Sequence, residues 1–396
     1  MDSSKIYDAI IVGGGPAGAT AALDLSRRGR AVVMLDREDR IKPCGGAIPP
    51  QAMTEFDIPD SILVAHVTSA RMVSPTSREV DMPITGGFVG MVDRKTFDPW
   101  LRDRAEQAGA TRVRGTYERI TREDGAAVVH FTTPDGAAAS VRGKVVIGAD
   151  GANSAVARQE IACHKEMQYV FAYHEIVRSP EPGQQGYDGT RCDVYYQGRI
   201  SPDFYGWIFP HGDTASIGVG TALKGFSLRG AVAELRKDTG LDGAETLRKE
   251  GAPIPLKPLR KWDNGKDVVL AGDAAGVVAP ASGEGIYYAL TGGRLAAEAV
   301  DALLKTGDVR SLELARQRFM KAHGRVFFIL GMLQKFWYSS DKRRERFVSM
   351  CRDPDVQHLT WQAYMYKRLV RAKPLAHARI FFKDLAHLLG LVSPSR

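Results

Sequence analysis

Hydrophobic positions in this chain fall into three textures. The first is a short unbroken apolar run that ends on glycine or aspartate. Residues 9–12 run into Gly13-Gly14-Gly15-Pro16-Ala17-Gly18, residues 144–147 into Gly148-Ala149-Asp150-Gly151, and residues 267–271 into Gly272-Asp273. Runs of this kind read as buried parallel strands. A helix follows the first run to about Arg28, stops at Gly29, and gives way to a second apolar strand, 31–35, that ends on Asp36. The second texture is alternation. Residues 70–83 carry turn formers at Ser74-Pro75-Thr76-Ser77 and predict a hairpin. Strands are predicted around 115–121, 127–132 and 140–141, and again at 169–177, 191–197, 206–210 and 214–221, with a helix at 228–239. The third texture is helical spacing. It covers 95–108, with Phe97, Trp100, Leu101, Ala105 and Ala108 on one face, then 287–304, and most of the chain beyond Arg310. In a last helix Phe381, Leu385, Leu388 and Val392 share a face. The stretch 42–50, with two glycines and three prolines among nine residues, predicts a loop.

The order strand, glycine turn, helix, strand, acid defines a chemistry. Gly13, Gly15 and Gly18 have the G-x-G-x-x-G spacing. Gly13 allows the tight turn, Gly15 lets backbone approach a pyrophosphate, and Gly18 lets the helix lie close on the strand. Pro16 suits a first helical turn, whose open N–H groups face phosphate oxygens. Asp36 can accept hydrogen bonds from a ribose diol. The expectation is an α/β chain: a Rossmann-like dinucleotide domain, an inserted antiparallel sheet and a helical C-terminal region. Arg94, at a helix entrance, is a candidate to meet a phosphate or the edge of a cofactor. Asp150 can cap the turn after it or contact a cofactor from behind.

Composition narrows the classes. With 396 residues, 44% of them apolar and 25% charged, the chain is an ordinary globular protein of two or three domains. No window reaches the roughly 18 uninterrupted apolar residues of a membrane span. The first residues lead straight into a strand, so no signal peptide is expected. Cys44, Cys163, Cys192 and Cys351 have no metal-ligand spacing, and free thiols in a reducing cytoplasm are expected, with no metal. The net charge of +8 is concentrated. Residues 335–396 hold 13 Lys/Arg against 5 Asp/Glu, which leaves the rest about neutral. No nucleic-acid motif accompanies this basic end. A basic amphipathic helix there either makes peripheral contact with an anionic membrane surface, the inner or a photosynthetic membrane, or lays its apolar face on the protein's own core.

The three glycine- or aspartate-ended strands, in this order and spacing, resemble the FAD-binding hydroxylase-like flavoproteins. The likeness narrows further. Lys42-Pro43-Cys44-Gly45-Gly46-Ala47-Ile48-Pro49 is similar to the signature of the geranylgeranyl reductases of chlorophyll and bacteriochlorophyll synthesis. The segment Pro202-Asp203-Phe204-Tyr205-Gly206-Trp207-Ile208-Phe209-Pro210 fits that family's P-x-x-Y-x-W-x-F-P prenyl-contact motif. Ser282-Gly283-Glu284-Gly285-Ile286-Tyr287 and Tyr364-Met365-Tyr366-Lys367-Arg368 agree as well, so the resemblance spans Tyr7 to about Arg371. Archaeal relatives more often have an acid where this chain has Gly46, which favours the pigment branch.

The resemblance implies FAD, with NADPH as a transient electron donor. Asp273 would contact the ribityl chain and Asp36 the adenosine ribose. Ala17 and the glycines would hold the pyrophosphate, Gly285 and Ile286 would lie by the flavin ring, and Cys44, Gly45 and Arg94 near the cofactor. Cys44 is the candidate catalytic group, as acid or as a shaper of the pocket, with ordered water as the rival proton source. Tyr205, Trp207, Phe209 and Pro210 would line the prenyl chain. The reaction implied is stepwise saturation of three double bonds of a geranylgeranyl group, carried by bacteriochlorophyll or by diphosphate. The implied domains are 1–68, 88–163 and 263–325 for FAD, 69–87 and 164–262 for the prenyl chain, and 326–396 as the helical basic region. Two other activities share the flavin frame: a monooxygenase acting on an aromatic or polyene substrate, and a non-catalytic flavin-bearing prenyl carrier.

Overall fold

The computed structural model describes residues 5–38, 40–181 and 186–367. The described residues of Met1–Cys44, Arg94–Tyr169 and Ala252–Leu330 form one compact unit, and those of Gly45–Asp93, Val170–Gly251 and Gly331–Arg396 a second.

The first unit is built on the apolar run Ile6–Val12. It lies parallel between Val32–Asp36 and Ala138–Gly148, with Ile10 opposite Val33 on one side and Val146 on the other. Thr111–Arg114 continues the sheet in parallel beyond Val32–Asp36. On the other side Ala126–Thr132 and Thr116–Glu123 follow antiparallel. Val268–Leu270 pairs parallel with the last residues of Ala138–Gly148. Ile10, Ile11, Val33, Met34, Val146 and Ile147 are fully buried, so these strands read as continuous apolar runs rather than alternations. Helix Pro16–Arg27 packs between Ile286–Thr306 and Arg94–Gln107. All three parallel ladders that meet at Ile6–Val12 and Ala138–Gly148 deliver their strand ends to one side, where ligands of open α/β sheets bind.

The second unit carries a seven-stranded sheet in the order Thr246–Pro255, Tyr169–Arg178, Thr214–Thr221, Gly206–His211, Arg191–Tyr195, Ser69–Val73, Glu79–Pro83. The pairing of Arg191–Tyr195 with Ser69–Val73 is parallel, because the hairpin that supplies the latter comes from a distant part of the chain. Helix Leu228–Asp238 covers the sheet, with Val232 and Leu235 packed among Ile208, Ile217 and Val219. A small sheet joins Ala47–Ile48 and Ala65–Val67 to either side of Val89–Met91.

Several boundaries differ from those expected. Segments 45–68 and 88–93 lie in the second unit, because both outer strands of the small sheet pair with Val89–Met91. Residues 164–169 and 252–262 lie in the first. The described chain after Gly331 belongs to the second unit rather than standing apart. Residues 140–141 and 144–148 are one strand, and the glycine- and proline-rich loop still donates Ala47–Ile48 to a sheet before Pro50 opens helix Pro50–Glu55. Strand Thr246–Pro255 was not expected, since its charged residues mask its alternation. The predicted helix with Phe381, Leu385, Leu388 and Val392 lies outside the described residues.

Candidate functional site

In the first unit the glycine turn does what its spacing predicts. Gly13 has φ +105°, and a Cβ there would sit 2.3 Å from the Ala149 carbonyl oxygen, so no other residue fits. Gly18 is equally constrained: its added Cβ would lie 1.8 Å from the Gly13 oxygen, which is how closely the helix rests on the strand end. Gly15 is different. It begins helix Pro16–Arg27 with no side chain capping it, and the nearest atom to an added Cβ is Arg94 Nη2, 3.8 Å away. Packing within the protein does not demand a glycine there.

Beside this turn lies a cleft of about 380 Å³, within the usual range for ligand sites. Gly13, Gly15, Ala17, Asp36, Arg94, Asp150 and Asp273 all line it, together with Lys42, Asp98 and Arg102. Asp36 Oδ2 accepts the Gly14 N–H at 2.6 Å and Oδ1 the Glu38 N–H at 2.8 Å. Arg102 Nη1 stands 3.7 Å from the same carboxylate. Asp150 accepts from the Ser154 hydroxyl at 2.5 Å and from the N–H groups of Ala155 and Val156. Its carboxylate caps the turn, the first of the two roles open to it. Burial pushes that carboxyl up, against the lowering pull of these donors. Asp273 pairs with Lys42.

Arg94 opens helix Arg94–Gln107, is 6% exposed, and grips Asp98 with Nε at 2.5 Å and Nη2 at 2.7 Å. Burial favours its neutral form, but Asp98 outweighs burial and holds the guanidinium firmly charged, with a further contribution from a hydrogen bond with Cys44. Cys44 is thus brought to Arg94. Gly285 and Ile286 begin the helix after Asp273, and an added Cβ on Gly285 would lie 3.7 Å from the Asp273 carboxylate.

The second unit holds the predicted aromatic row. Trp207 and Phe209 lie on strand Gly206–His211 and Tyr205 just precedes it. Ring centroids from Tyr205 to Trp207 and from Trp207 to Phe209 are each 6.0 Å apart, as expected for alternate residues on one strand face. Pro210 is buried in the same strand. The indole of Trp207 lies over Gly218, the residue opposite it on Thr214–Thr221, where an added Cβ would be 2.1 Å from the ring. Indole Nε1 donates to Ser216 Oγ at 3.1 Å, His174 Nδ1 lies 2.8 Å from the same oxygen, and His174 Nε2 lies 3.0 Å from Glu250. The double glycine after Cys44 rests on this strand. A Cβ on Gly45 would touch the Phe209 ring at 3.2 Å, and one on Gly46 would fall 2.5 Å from His211 Nε2.

Sequence reasoning missed Lys42, Arg102, His174, Ser216, Gly218 and Glu250. Arg94, Asp98 and Arg102 recur every four residues, a stripe that on a helix reads as solvated but is here buried against the cleft. Ser216 and Gly218 left a fainter signal, small residues alternating along a strand.

This cleft fits a dinucleotide on its own geometry: a glycine with unused room, an uncapped helix start and a carboxylate at the end of the second strand. The family described as FAD binding domain matches residues 6–318, and the protein is a flavoprotein. The chain is 60% identical over 389 residues to geranylgeranyl diphosphate reductase of Rhodobacter capsulatus, covering 98% of this chain and 99% of that one. It is 37% identical over 412 residues to a chloroplastic geranylgeranyl diphosphate reductase of Oryza sativa, covering 98% of this chain and 88% of the relative. The chain belongs to the geranylgeranyl reductase family of FAD-dependent oxidoreductases. The fold is likewise similar to the crystal structure of a geranylgeranyl bacteriochlorophyll reductase-like protein from Thermoplasma acidophilum (TM-score 0.80, 20% identity, 94% of this chain and 99% of that one). A flavin-dependent brominase shares the fold at a TM-score of 0.73 and 18% identity, over 96% of this chain and 99% of that one.

Proposed function

We propose that this protein reduces three double bonds of a geranylgeranyl group to a phytyl group in bacteriochlorophyll synthesis, with NADPH as electron donor. The acceptor is geranylgeranyl diphosphate or geranylgeranyl-bacteriochlorophyll. The near-full-length identity to geranylgeranyl diphosphate reductases supports the activity. The observation that carries the substrate class is the row Tyr205, Trp207, Phe209, whose central indole is seated on Gly218 and fixed by Ser216. Three aromatic side chains on one strand face suit an isoprenoid chain, which offers only apolar surface.

Bound FAD supplies the two-electron chemistry that amino acids lack. Each round consumes one NADPH and one proton and saturates one alkene: one alkene carbon gains a hydride equivalent, the other a proton. The residues of the chain hold and orient. The turn from Gly13 to Ala17 would hold the pyrophosphate, Asp36 the adenosine ribose and Asp273 the ribityl chain. Arg94, fixed by Asp98, orients Cys44, whose thiol or a water beside it delivers the proton. Peripheral contact with a membrane suits so lipid-like a substrate. No described helix is long and apolar enough to cross one, while helix Glu313–Trp337 exposes Phe328, Met332 and Leu333.

Anaerobic incubation of the holoenzyme with NADPH and either acceptor, followed by mass analysis, tests the reading. The expected products are dihydro, tetrahydro and finally phytyl forms. Oxygen-dependent hydroxylation instead would identify a monooxygenase. Lipid binding without bleaching of the flavin by NADPH would identify a carrier.

A further inference from the structure

The row of rings does not end at Tyr205. Its ring lies 6.1 Å from that of Tyr196, and Tyr196 meets Tyr338 at 5.2 Å and Phe347 at 5.0 Å. Here the row leaves the sheet. Tyr196 follows strand Arg191–Tyr195, whereas Tyr338 and Phe347 come from the turn after helix Glu313–Trp337 and from the next helix, Asp341–Met350. Tyr196 and Tyr338 are 6% and 4% exposed. Their hydroxyls are hydrogen-bonded to each other, so the two polar atoms satisfy one another and the remaining ring surface is apolar.

This end is braced by a buried charge. Arg344, 2% exposed, donates to the carbonyl oxygens of Pro202 and Tyr338 and pairs with Asp341 at 2.7 Å. Asp341 also accepts the Gly198 N–H at 2.9 Å. The start of helix Asp341–Met350 is therefore tied to the single connection, residues 196–205, that carries both Tyr196 and Tyr205. A wall tied to its neighbours through Nη1 and Nη2 of a buried guanidinium resists displacement.

We infer that Tyr196 and Tyr338, backed by Phe347 and braced by Arg344, close the prenyl-binding row and set the longest chain the enzyme reduces. The inference rests on the prenyl reading above. A chain laid along Phe209, Trp207 and Tyr205 gains apolar contact ring by ring until it reaches the paired tyrosines. On this inference the paired tyrosines stand in the path of one further isoprene unit. Hydrophobic pockets discriminate single methylenes by about 10- to 200-fold, so a whole isoprene unit is rejected at least as strongly.

The test uses dithionite-reduced holoenzyme and three diphosphates: farnesyl, geranylgeranyl and geranylfarnesyl. Wild type is expected to favour geranylgeranyl over geranylfarnesyl diphosphate by at least about tenfold in kcat/KM. Tyr338→Ala and Tyr196→Ala are expected to lower that preference about tenfold, leaving the farnesyl-to-geranylgeranyl ratio nearly unchanged. Phe347→Leu gives a smaller shift in the same direction and serves if an alanine variant does not fold. A ratio between substrates on one enzyme cancels losses of stability or of flavin content, so a merely structural role would not move it. Equal use of the two longer substrates by wild type, or an unmoved ratio in the variants, overturns the inference alone. Failure of reduced wild type to saturate any of the three, and geranylgeranyl-bacteriochlorophyll as well, overturns the prenyl reading and this inference with it.

Discussion

The orientation of Trp207 follows from what lies beneath it. Gly218 faces both Trp207 and His174 across its two neighbouring strands, so a residue with no side chain sits where the indole must pass. Ser216 then takes the indole N–H and lies within hydrogen-bond distance of His174, which leaves no buried polar atom of that trio unused. His211, two residues beyond Phe209, shows the opposite economy. Burial pushes its imidazole down to about 4, against the raising pull of the Phe209 carbonyl and Asp93. The native state therefore keeps His211 neutral while the unfolded chain protonates it near its ordinary value of about 6.5. Stability from this group is full above that value, is lost as pH falls toward 4, and is level below. At about 1.36 kcal/mol per unit the loss is at most about 3 kcal/mol. Urea denaturation at pH 7 and about 4.5 checks it: His211→Gln should lose roughly 1–3 kcal/mol less than wild type between the two. Equal losses would show that another group dominates.

At the scale of elements, the strand–turn–helix from Ile6 to Arg27 separates two uses of glycine. Gly13 is required by the fold, since an added Cβ would meet the Ala149 carbonyl oxygen at 2.3 Å, whereas one on Gly15 would come no closer than 3.8 Å to Arg94; the proposed role of Gly15 is to admit the cofactor. Gly13→Ala is expected to cost at least about 1–3 kcal/mol of stability without FAD, through a backbone clash and a strained φ. Gly15→Ala should leave apo stability within about 0.5 kcal/mol, as at sites with no such clash, yet weaken FAD binding tenfold or more. Thermal unfolding of the apoprotein and quenching of flavin fluorescence measure the two effects separately. Weakened folding in Gly15→Ala, with FAD affinity intact, would contradict the assignment. This turn was legible in the sequence because every step of it is local: an apolar run, a glycine spacing, a proline and an acid. Arg102 and Ser216 were not: the partners of Arg102, Asp36 and Gly14, are distant in sequence, and Ser216 is picked out by strand register, which brings Trp207 and the more distant His174 to it. Charge on a helix predicts water around it unless something says what lies opposite, and here that is Gly14, on which the Arg102 side chain packs. The row Tyr205, Trp207, Phe209 could be read as one strand face. Its continuation through Tyr196 to Tyr338 could not, because it crosses from strand to helix.

At the scale of the whole molecule, the textures were legible but the boundaries between them were not. Segment 45–68 looks like a loop after the nucleotide-binding strands, and only its pairing through Val89–Met91 assigns it to the other unit. Charge organises the molecule in a way the fold does not. The excess of +8 sits in residues 335–396, and the adjoining helix Glu313–Trp337 exposes Phe328 (67%), Met332 (51%) and Leu333 (40%). Large apolar side chains rarely stand this exposed together without a contact to make, and the proposed peripheral contact with an anionic lipid surface would use them. Each basic residue near such a surface contributes about 1 kcal/mol, and this attraction dies within a Debye length, about 10 Å in 0.1 M salt but only 3 Å in 1 M. The purified protein should therefore sediment with phosphatidylglycerol vesicles at low salt and be largely released at about 1 M salt. Phosphatidylcholine vesicles should retain only a small fraction. Replacing Phe328 and Met332 by serine should remove the part of the binding that survives high salt, because that part comes from apolar burial alone. Binding that ignores both lipid charge and salt would mean the basic segment serves the protein itself and not a membrane.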